Sequence, residues 1–279
     1  MRTATTLSSS FDLLGAIEAG HLALDYQPIV EAASGRIVSL EALVRWPRPG
    51  QGRLRADEFL PLAEHSGLGG SLTAFVLRRA IRDCARWLAE GLAASVAVNV
   101  SPSVLGDDLV PAVVASALDD HGVDPRWVTV EITERAYPHD PVLLRDALVA
   151  LARLGVHLSL DDFGTGESSL ARLQQLHFDE IKIDRSFVSD LAESWTDREI
   201  VRHTTALAHA LGCRVVAEGI DRPQVLRAVR DLGVDRLQGY LLARPAPLAR
   251  LRALRSLRAN DDWPDRVGGA DLAGLRTVI

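Results

Sequence analysis

The stretch LDDFGTGESSL at residues 160–170 decides how the rest of the sequence is interpreted. An apolar strand over 156–160 runs directly into Asp161 and Asp162, and a Gly-Thr-Gly turn then leads into a helix predicted from Ser168. Neighbours on a strand point to opposite faces, so both carboxylates serve one site only where the strand ends and the backbone turns. Two close carboxylates disfavour each other's charged form unless a shared proton or a divalent cation lies between them. The alternative is a helix N-cap, because Asp and Ser beside Gly commonly precede a helix.

On both sides of this stretch, apolar strands alternate with amphipathic helices. Strands are predicted at 21–30, 36–46, 95–101, 128–134, 156–162, 180–184, 213–218 and 236–242. Helices are predicted at 11–20, 56–66, 71–91, 104–120, 140–154, 168–176, 189–211, 222–232 and 246–258. Strict alternation of this kind predicts a parallel sheet covered by helices. Eight strands in this length favour an α/β fold of the closed (β/α)8 TIM-barrel type, and no G-x-G-x-x-G follows the first strand to indicate a dinucleotide-binding sheet.

The first two strands are joined by a short turn through 33–35, which predicts a hairpin and therefore a first strand antiparallel to the others. We divide the sequence into a disordered lead or linker remnant at 1–10, one barrel domain at 11–258 and a loosely attached tail at 259–279.

The overall charge of −6 and the pI near 5.8 argue against binding to a nucleic-acid polymer, which needs a basic surface. An acidic protein still binds a small anion where local arginines or a metal ion supply positive charge. Cys84 and Cys213 are too few for a disulfide framework. No apolar run has membrane-spanning length and the first residues lack a signal-peptide core, so we expect a cytoplasmic protein.

Polar residues interrupt the apolar strands near their carboxyl ends, where the chemistry of such barrels takes place. They are Glu41, Asn99, Glu131, Asp161 with Asp162, Lys182, Glu218 and Gln238. Each one alone is explained as a buried polar group with a hydrogen-bond partner. Together they converge on one rim, where buried acids are costly unless they are paired or bound to metal.

The predicted ligands are carboxylates and one amide, an oxygen set that suits Mg²⁺, Mn²⁺ or Ca²⁺ better than zinc. No His or Cys pair has zinc spacing. Five acidic side chains exceed the needs of one magnesium ion, so we expect two ions per site. Two adjacent metal ions are the standard arrangement for activating a water to attack a phosphodiester.

Two basic residues accompany the acids. Arg45 shares a strand face with Glu41 and Leu43, so it either binds phosphate or forms an ion pair at the strand end. Lys182 is the sole lysine among 31 basic residues. It either neutralises or positions groups in the site, or simply pairs with Asp184 or Asp162.

The motifs resemble those of the EAL-domain cyclic di-GMP phosphodiesterases over roughly residues 11–250. The matching segments are YQPIV (26–30), EALVRW (41–46), VNVS (98–101), EITE (131–134), DDFGTG (161–166), KIDRSF (182–187), AEG (217–219) and QGY (238–240). The resemblance implies a barrel with an antiparallel first strand, and metal-dependent hydrolysis of cyclic di-GMP to linear pGpG with Mg²⁺ or Mn²⁺, Ca²⁺ being inhibitory. It also implies a homodimer.

By the same resemblance, each site residue has an expected role. Glu41, Asn99, Glu131 and Asp161 hold one ion, whereas Asp161, Asp162 and Glu218 serve the second ion or its water, with a general-base role also possible for Glu218. Lys182 lies beside the attacking water, and Gln238 supports the site. Gln27, Leu43, Arg45 and Asp221 contact the dinucleotide, and Glu134 steadies the loop after Asp162.

Two positions depart from the family pattern: Asp221 replaces a longer Glu, and Glu167 stands where Tyr is frequent. No GGDEF-type motif occurs, so we expect no cyclase domain in this sequence. Two other functions are compatible with parts of this sequence. One is a cyclic di-GMP receptor with little turnover, although all ligands are present. The other is a Schiff-base lyase using Lys182, which would need a lowered pKa where the surrounding carboxylates would raise it.

Overall fold

The computed structural model describes residues 10–106, 108–133, 141–165, 173 and 176–251. The predicted lead up to residue 9, the tail at 259–279, and the residues Glu134 and Glu167 lie outside this part of the chain. No helix in the described ranges is both long enough and apolar enough to cross a membrane.

Eight strands close into a barrel, and a ninth extends one of them. The strands are β1 (Ala23–Glu31), β2 (Ile37–Arg48), β3 (Gly52–Arg55), β4 (Ser95–Val100), β5 (Val128–Thr133), β6 (His157–Phe163), β7 (Glu180–Ile183), β8 (Arg214–Ala217) and β9 (Arg236–Leu237). Neighbours around the sheet follow the order β1-β9-β8-β7-β6-β5-β4-β2-β3, and a β1–β2 pairing closes it. The predicted TIM-type barrel is therefore confirmed.

Strand β1 is antiparallel to both of its neighbours, β2 and β9, as the hairpin predicted. Its amino-terminal half consequently lies at the mouth where the parallel strands have their carboxyl ends. This reversal pairs Gln27 of β1 with Glu41 of β2, and Ala23 with Arg45. Asp25, two residues after Ala23, therefore lies beside Arg45.

Helices cover the outside of the barrel. They are α1 (Ser10–Glu18), α2 (Ala56–His65), α3 (Gly69–Ala89), α4 (Leu109–His121), α5 (Pro141–Leu154), α6 (Arg185–Val188), α7 (Trp195–Ala210), α8 (Pro223–Asp231) and α9 (Leu248–Leu251). Their apolar faces pack on the strands; in α3, for example, Leu77, Ile81 and Trp87 are buried. The Trp87 indole donates a hydrogen bond to the Ala94 carbonyl oxygen at 2.8 Å, which ties α3 to the start of β4.

Three predicted elements differ from the structure. The helix expected at 104–120 begins only at Leu109, because Pro102–Val104 forms a 3-10 turn. The helix expected at 189–211 is interrupted: α6 ends at Val188, and Ser194 then caps α7 by accepting a hydrogen bond from the Asp197 amide.

The strand expected at 236–242 contains only Arg236–Leu237. Beyond Gln238 the chain turns back on itself, with the amides of Leu242 and Ala243 donating to the Gly239 carbonyl oxygen. The hairpin strand β3 was not predicted, because its residues are mostly exposed and show no apolar alternation.

Gly239 permits this turn to pack closely against the segment after β8. A Cβ atom at this position would lie 2.1 Å from the Ile220 carbonyl oxygen and 2.3 Å from its amide nitrogen. The same backbone is held by bonds from the Ile220 amide to the Gln238 carbonyl and from the Leu241 amide to the Ile220 carbonyl.

We predict that Gly239→Ala lowers the free energy of unfolding by roughly 1–3 kcal/mol, since the backbone must shift to relieve the overlap. Urea denaturation measures this change. Gly15→Ala is the matched control, because its Cβ would meet nothing within 4 Å and Ala favours the helix α1. Equal stability of the two variants would contradict the close approach.

Candidate active site

The site at the carboxyl mouth of the barrel is built around the buried ammonium of Lys182 on β7. Its Nζ lies 2.7 Å from Glu218, 3.1 Å from Glu131, 3.1 Å from Asp161 and 4.0 Å from Glu41. These acids come from β2, β5 and β6 and from the residue that follows β8, so the barrel brings together residues that are far apart in sequence. Lys182 does not pair with Asp184, which instead caps α6 by accepting from the Ser186 amide.

Glu41 is the centre of a second set of contacts. Its Oε1 accepts a hydrogen bond from the Asn99 amide at 2.7 Å, and its Oε2 accepts one from the Gln238 amide. Gln238 also donates to Gln27 at 3.2 Å, and Gln27 donates to the Ala243 carbonyl oxygen at 3.1 Å. The predicted residues Glu41, Asn99, Gln238 and Gln27 thus form one connected network.

Asp161 and Asp162 reach the same site because the strand is distorted between them. The β6–β7 register shifts between Leu160 and Phe163, and Asp162 has φ of 57°, in the left-handed region. This conformation costs a non-glycine residue roughly 1–2 kcal/mol. One carboxylate oxygen each from Asp161, Asp162 and Glu218 then lie within 4.8 Å of one another. The backbone therefore turns at the end of the strand, as expected if Asp161 and Asp162 are to face one site.

These residues fit a divalent cation. Glu131 Oε2 is buried without a hydrogen-bond partner among the described residues, and Glu131 Oε1 and Asp161 Oδ1 face the Lys182 ammonium at 3.1 Å. Buried oxygen atoms of this kind require a compensating charge or ligand. An all-oxygen donor set of carboxylates beside one amide suits Mg²⁺ or Mn²⁺. Asp161, Asp162 and Glu218 bring carboxylate oxygens close together, and Asn99 donates to Glu41 nearby.

The burial of these charges shifts their protonation. Burial raises the pKa of Glu218 from 4.5 to about 8, with Asp161 and Glu41 adding to the rise and Lys182 opposing it. Burial also raises the pKa of Glu131 well above its ordinary value, against the attraction of Lys182. For Lys182, burial disfavours the ammonium, but the four carboxylates outweigh this effect and raise its pKa well above the ordinary value.

Two adjoining cavities open at this mouth, and both are lined by Gln27 and Tyr240. One of about 530 Å³ contains Glu41, Asp161, Glu218, Gln238 and Asp221 among its lining residues. The other, of about 730 Å³, includes Leu43, Arg45, Asn99 and Arg244. The residues predicted to contact a dinucleotide are therefore divided between two connected spaces.

Arg45 forms the strand-end ion pair that its sequence context left open. Its Nε donates to Asp25 at 2.9 Å, and Asp25 also accepts from Arg53 of β3 at 2.8 Å. The Arg45 side chain nevertheless lines the larger cavity. Asp25 therefore holds the guanidinium in a fixed position beside this space.

Tyr240 and Arg244 were missed as site residues by the sequence analysis. The Arg244 guanidinium lies 4.4 Å from the centre of the Tyr240 ring, a cation–π contact that orders both at the entrance. Their spacing of four residues and the QGY motif were the available signals. Asp221, the shortened residue, is 56% exposed and pairs with Arg222 at 3.5 Å.

The glycine of the AEG segment allows α6 to approach the site. A Cβ atom on Gly219, which has φ of 72°, would lie 2.3 Å from the Arg185 Cβ. Arg185 and Ser186 thereby reach the wall of the smaller cavity. No signal in the single sequence identified this contact.

We predict that, without divalent ions, the free energy of unfolding falls as the pH rises from about 4.5 to about 8, the window set by Glu218. The sign follows because a raised pKa means that the folded protein binds the proton more tightly than the unfolded chain. Urea denaturation across this pH range in EDTA measures the slope. Glu218→Gln cannot titrate, so its slope should be smaller; an identical slope in both proteins would contradict the assignment.

Comparison with known proteins agrees with the motifs. The chain is 42% identical over 260 residues to the cyclic di-GMP phosphodiesterase NbdA of Pseudomonas aeruginosa, covering 92% of this chain and 33% of that protein. It is 39% identical over 243 residues to MucR of the same organism, a bifunctional diguanylate cyclase and cyclic di-GMP phosphodiesterase, covering 87% of this chain and 36% of that protein. The chain thus spans about a third of the length of these curated relatives.

Solved structures show the same likeness. The PaMucR phosphodiesterase in complex with c-di-GMP superposes with a TM-score of 0.80 at 39% identity, covering 86% of this chain and 98% of that one. The EAL domain of Mycobacterium smegmatis DcpA gives a TM-score of 0.73 at 32% identity, covering 86% and 99%. The family model described as EAL domain matches residues 11–245. The chain therefore belongs to the EAL domain family.

Proposed function

We propose that this chain hydrolyses one phosphodiester bond of cyclic di-GMP, giving linear pGpG, with Mg²⁺ or Mn²⁺ bound at the barrel mouth. The observation that carries the proposal is the ring of acids around Lys182, whose carboxylates outnumber the single ammonium and in which Glu131 Oε2 is buried without a described hydrogen-bond partner. Support comes from the relatives named for this activity and from the complex of PaMucR with c-di-GMP.

Two ions would share Asp161. Glu41, Asn99 and Glu131 would complete the first position, and Asp162 with Glu218 the second. When bound, such ions lower the pKa of a water and neutralise the charge on the phosphodiester. The network from Asn99 and Gln238 to Glu41 would hold that carboxylate in place before the ions bind.

The side chains would orient the water and accept its proton. The Lys182 ammonium, fixed by three carboxylates within 3.1 Å, would donate a hydrogen bond to the water oxygen and aim it at the phosphorus. Glu218, whose Oε1 lies 2.7 Å from the Lys182 Nζ and therefore beside the same water, would accept the proton as general base. Water then adds across one P–O bond, which leaves a 5′-phosphate and a free 3′-hydroxyl.

The two cavities would hold the two halves of the cyclic dinucleotide. Arg45, anchored by Asp25, would bind the non-reacting phosphate with its planar fork, and Leu43 would contact the nucleoside beside it. Gln27 and Tyr240 stand between the cavities, and Asp221 lies at the rim of the smaller one. Glu134 keeps its proposed role of steadying the loop after Asp162.

The alternative functions have less support. A receptor that has lost turnover would be expected to lack ligands, whereas every described ligand position here carries an oxygen donor. A Schiff-base lyase would need a neutral lysine, whereas the pKa of Lys182 is raised by Asp161, Glu131, Glu218 and Glu41 despite burial. The homodimer and the cytoplasmic location stay predictions.

We predict that the purified protein converts cyclic di-GMP to pGpG in Mg²⁺ or Mn²⁺, and that turnover stops on chelation. Ca²⁺ should bind without supporting turnover and should inhibit, because it is larger and takes more variable coordination. Chromatographic separation of cyclic and linear products measures the reaction. Full activity after exhaustive chelation would refute the metal-dependent mechanism, and binding without any turnover in Mn²⁺ would favour a receptor.

Lys182→Arg tests whether the ammonium positions the water or only supplies charge. A guanidinium is planar and broader, so we predict retained binding of cyclic di-GMP but a fall in kcat on the order of a hundredfold, as expected for misplacement by about an ångström. Thermal unfolding checks that the variant is folded. Arg227→Lys, an exposed exchange between the same residue types on α8, is the control. A kcat near the parent value would show that charge alone is needed.

A further inference from the structure

A second concave surface lies on the outside of the barrel along one face of α3. This cavity, the α3 groove, has a volume of about 930 Å³. It is lined by Ile17, Gly20, Gly67, Gly70, Ser71, Ala74, Phe75, Arg78, Arg79, Arg82, Leu109 and His121. None of these residues lines either cavity at the barrel mouth. The volume falls within the range of small-molecule sites.

The groove is strongly basic in an otherwise acidic protein. Helix α3 carries the four arginines 78, 79, 82 and 86 against the single acid Asp83. The overall charge of the chain is −6, so this concentration of positive charge runs against the general composition. No acidic residue is found among the described residues that line the groove.

Asp83 does not neutralise this excess. It is buried and accepts from the Tyr26 hydroxyl at 2.9 Å, while Arg79, Arg82 and Arg86 lie 3.3, 3.6 and 3.3 Å from its oxygens. Three guanidinium groups thus share one carboxylate that is already hydrogen-bonded. Arg79 and Arg82 remain 35% and 36% exposed, so their remaining donors are accessible from the groove.

Arg78 adds further donors to the groove. Arg78 has no hydrogen bond or ion pair with any described residue, and it lines the groove one helical turn from Arg82. The Nε of Arg82 is buried and faces Asp83 Oδ1 at 3.6 Å, whereas the Arg82 side chain as a whole is 36% exposed. An anion in the groove would pair with the exposed guanidinium of Arg78 and with the exposed part of Arg82.

Part of the groove wall is apolar. Ile17 of α1, Ala74 and Phe75 of α3, and Leu109 of α4 line the same cavity. A phosphate ion alone would leave this wall in water. A ligand with both phosphate charges and a flat or apolar body matches both parts of the groove.

We infer that the α3 groove binds a small phosphorylated organic molecule of nucleotide type. Arg78 and Arg82 hold its phosphates as charge-assisted hydrogen-bond donors, with Arg79 and His121 nearby, and Phe75 contacts its apolar part. This site is separate from the proposed catalytic centre and needs no metal ion.

Isothermal titration of the full chain with GTP, ATP and inorganic tripolyphosphate in EDTA tests the inference. EDTA keeps the acidic barrel mouth free of cations, so that it repels phosphates. We expect binding of both nucleotides that is tighter than that of tripolyphosphate. In Arg78→Ala/Arg82→Ala the affinity should fall roughly tenfold or more, the loss of one or two charge-assisted hydrogen bonds.

The control is Arg153→Ala/Arg227→Ala, which removes the same charge from exposed positions on α5 and α8 and should bind like the parent. The single variant Arg78→Ala serves if the double variant unfolds, because Arg78 makes no described contact. Phe75→Ala should weaken nucleotides but not tripolyphosphate. Equal affinity of the groove and control variants, or no binding of any phosphate, would overturn the inference. Binding only to vesicles of anionic lipid would overturn it in favour of a membrane surface.

Discussion

The buried ammonium of Lys182 is the interaction on which the site depends. Four carboxylates lie within 4.0 Å of its Nζ, so one positive charge faces up to four negative ones in a space nearly closed to water. Such a set is stable only if protons or further cations supply the missing charge. Burial raises the pKa of Glu218 and of Glu131, so protons are able to supply part of that charge. Metal ions bound at the proposed site would compete with these protons for the same oxygens.

The barrel architecture explains how this charge cluster is assembled from distant parts of the sequence. Several parallel strands present polar residues at the same mouth, and the reversed β1 adds its own amino-terminal half. The strained backbone of Asp162 supplies a second carboxylate from a strand that would otherwise offer only one. Strain of this kind persists where the surrounding contacts fix the chain, and here the Thr165 amide and hydroxyl both bond to the Asp162 carbonyl oxygen.

The sequence allowed the barrel and the clustering of acids around Lys182 to be predicted, because polar residues that interrupt apolar strands are rare and occurred near the same end of most predicted strands. It did not reveal β3, whose exposed residues have no apolar pattern, or the early end of β9, which depends on the approach of Gly239 to Ile220. The Asp25–Arg45 pair depends on register across a hairpin, and the arginines of α3 read as an ordinary solvated face. In each case the missing information is a contact between segments, which local pattern does not contain.

The distribution of the two cationic side chains follows from their shapes. A compact ammonium can approach four carboxylates from one point, whereas a planar guanidinium would need more room and would direct its donors into a single plane. The sole lysine of the chain occupies that crowded position. Arginine occupies the positions where a side chain spans between groups, as Arg45 does from Asp25 to the cavity wall and as Arg82 does between Asp83 and the α3 groove. The excess of acid thus makes the barrel mouth suited to cations and to a ligand held by those cations. The excess of base makes the α3 groove suited to anions without a metal ion.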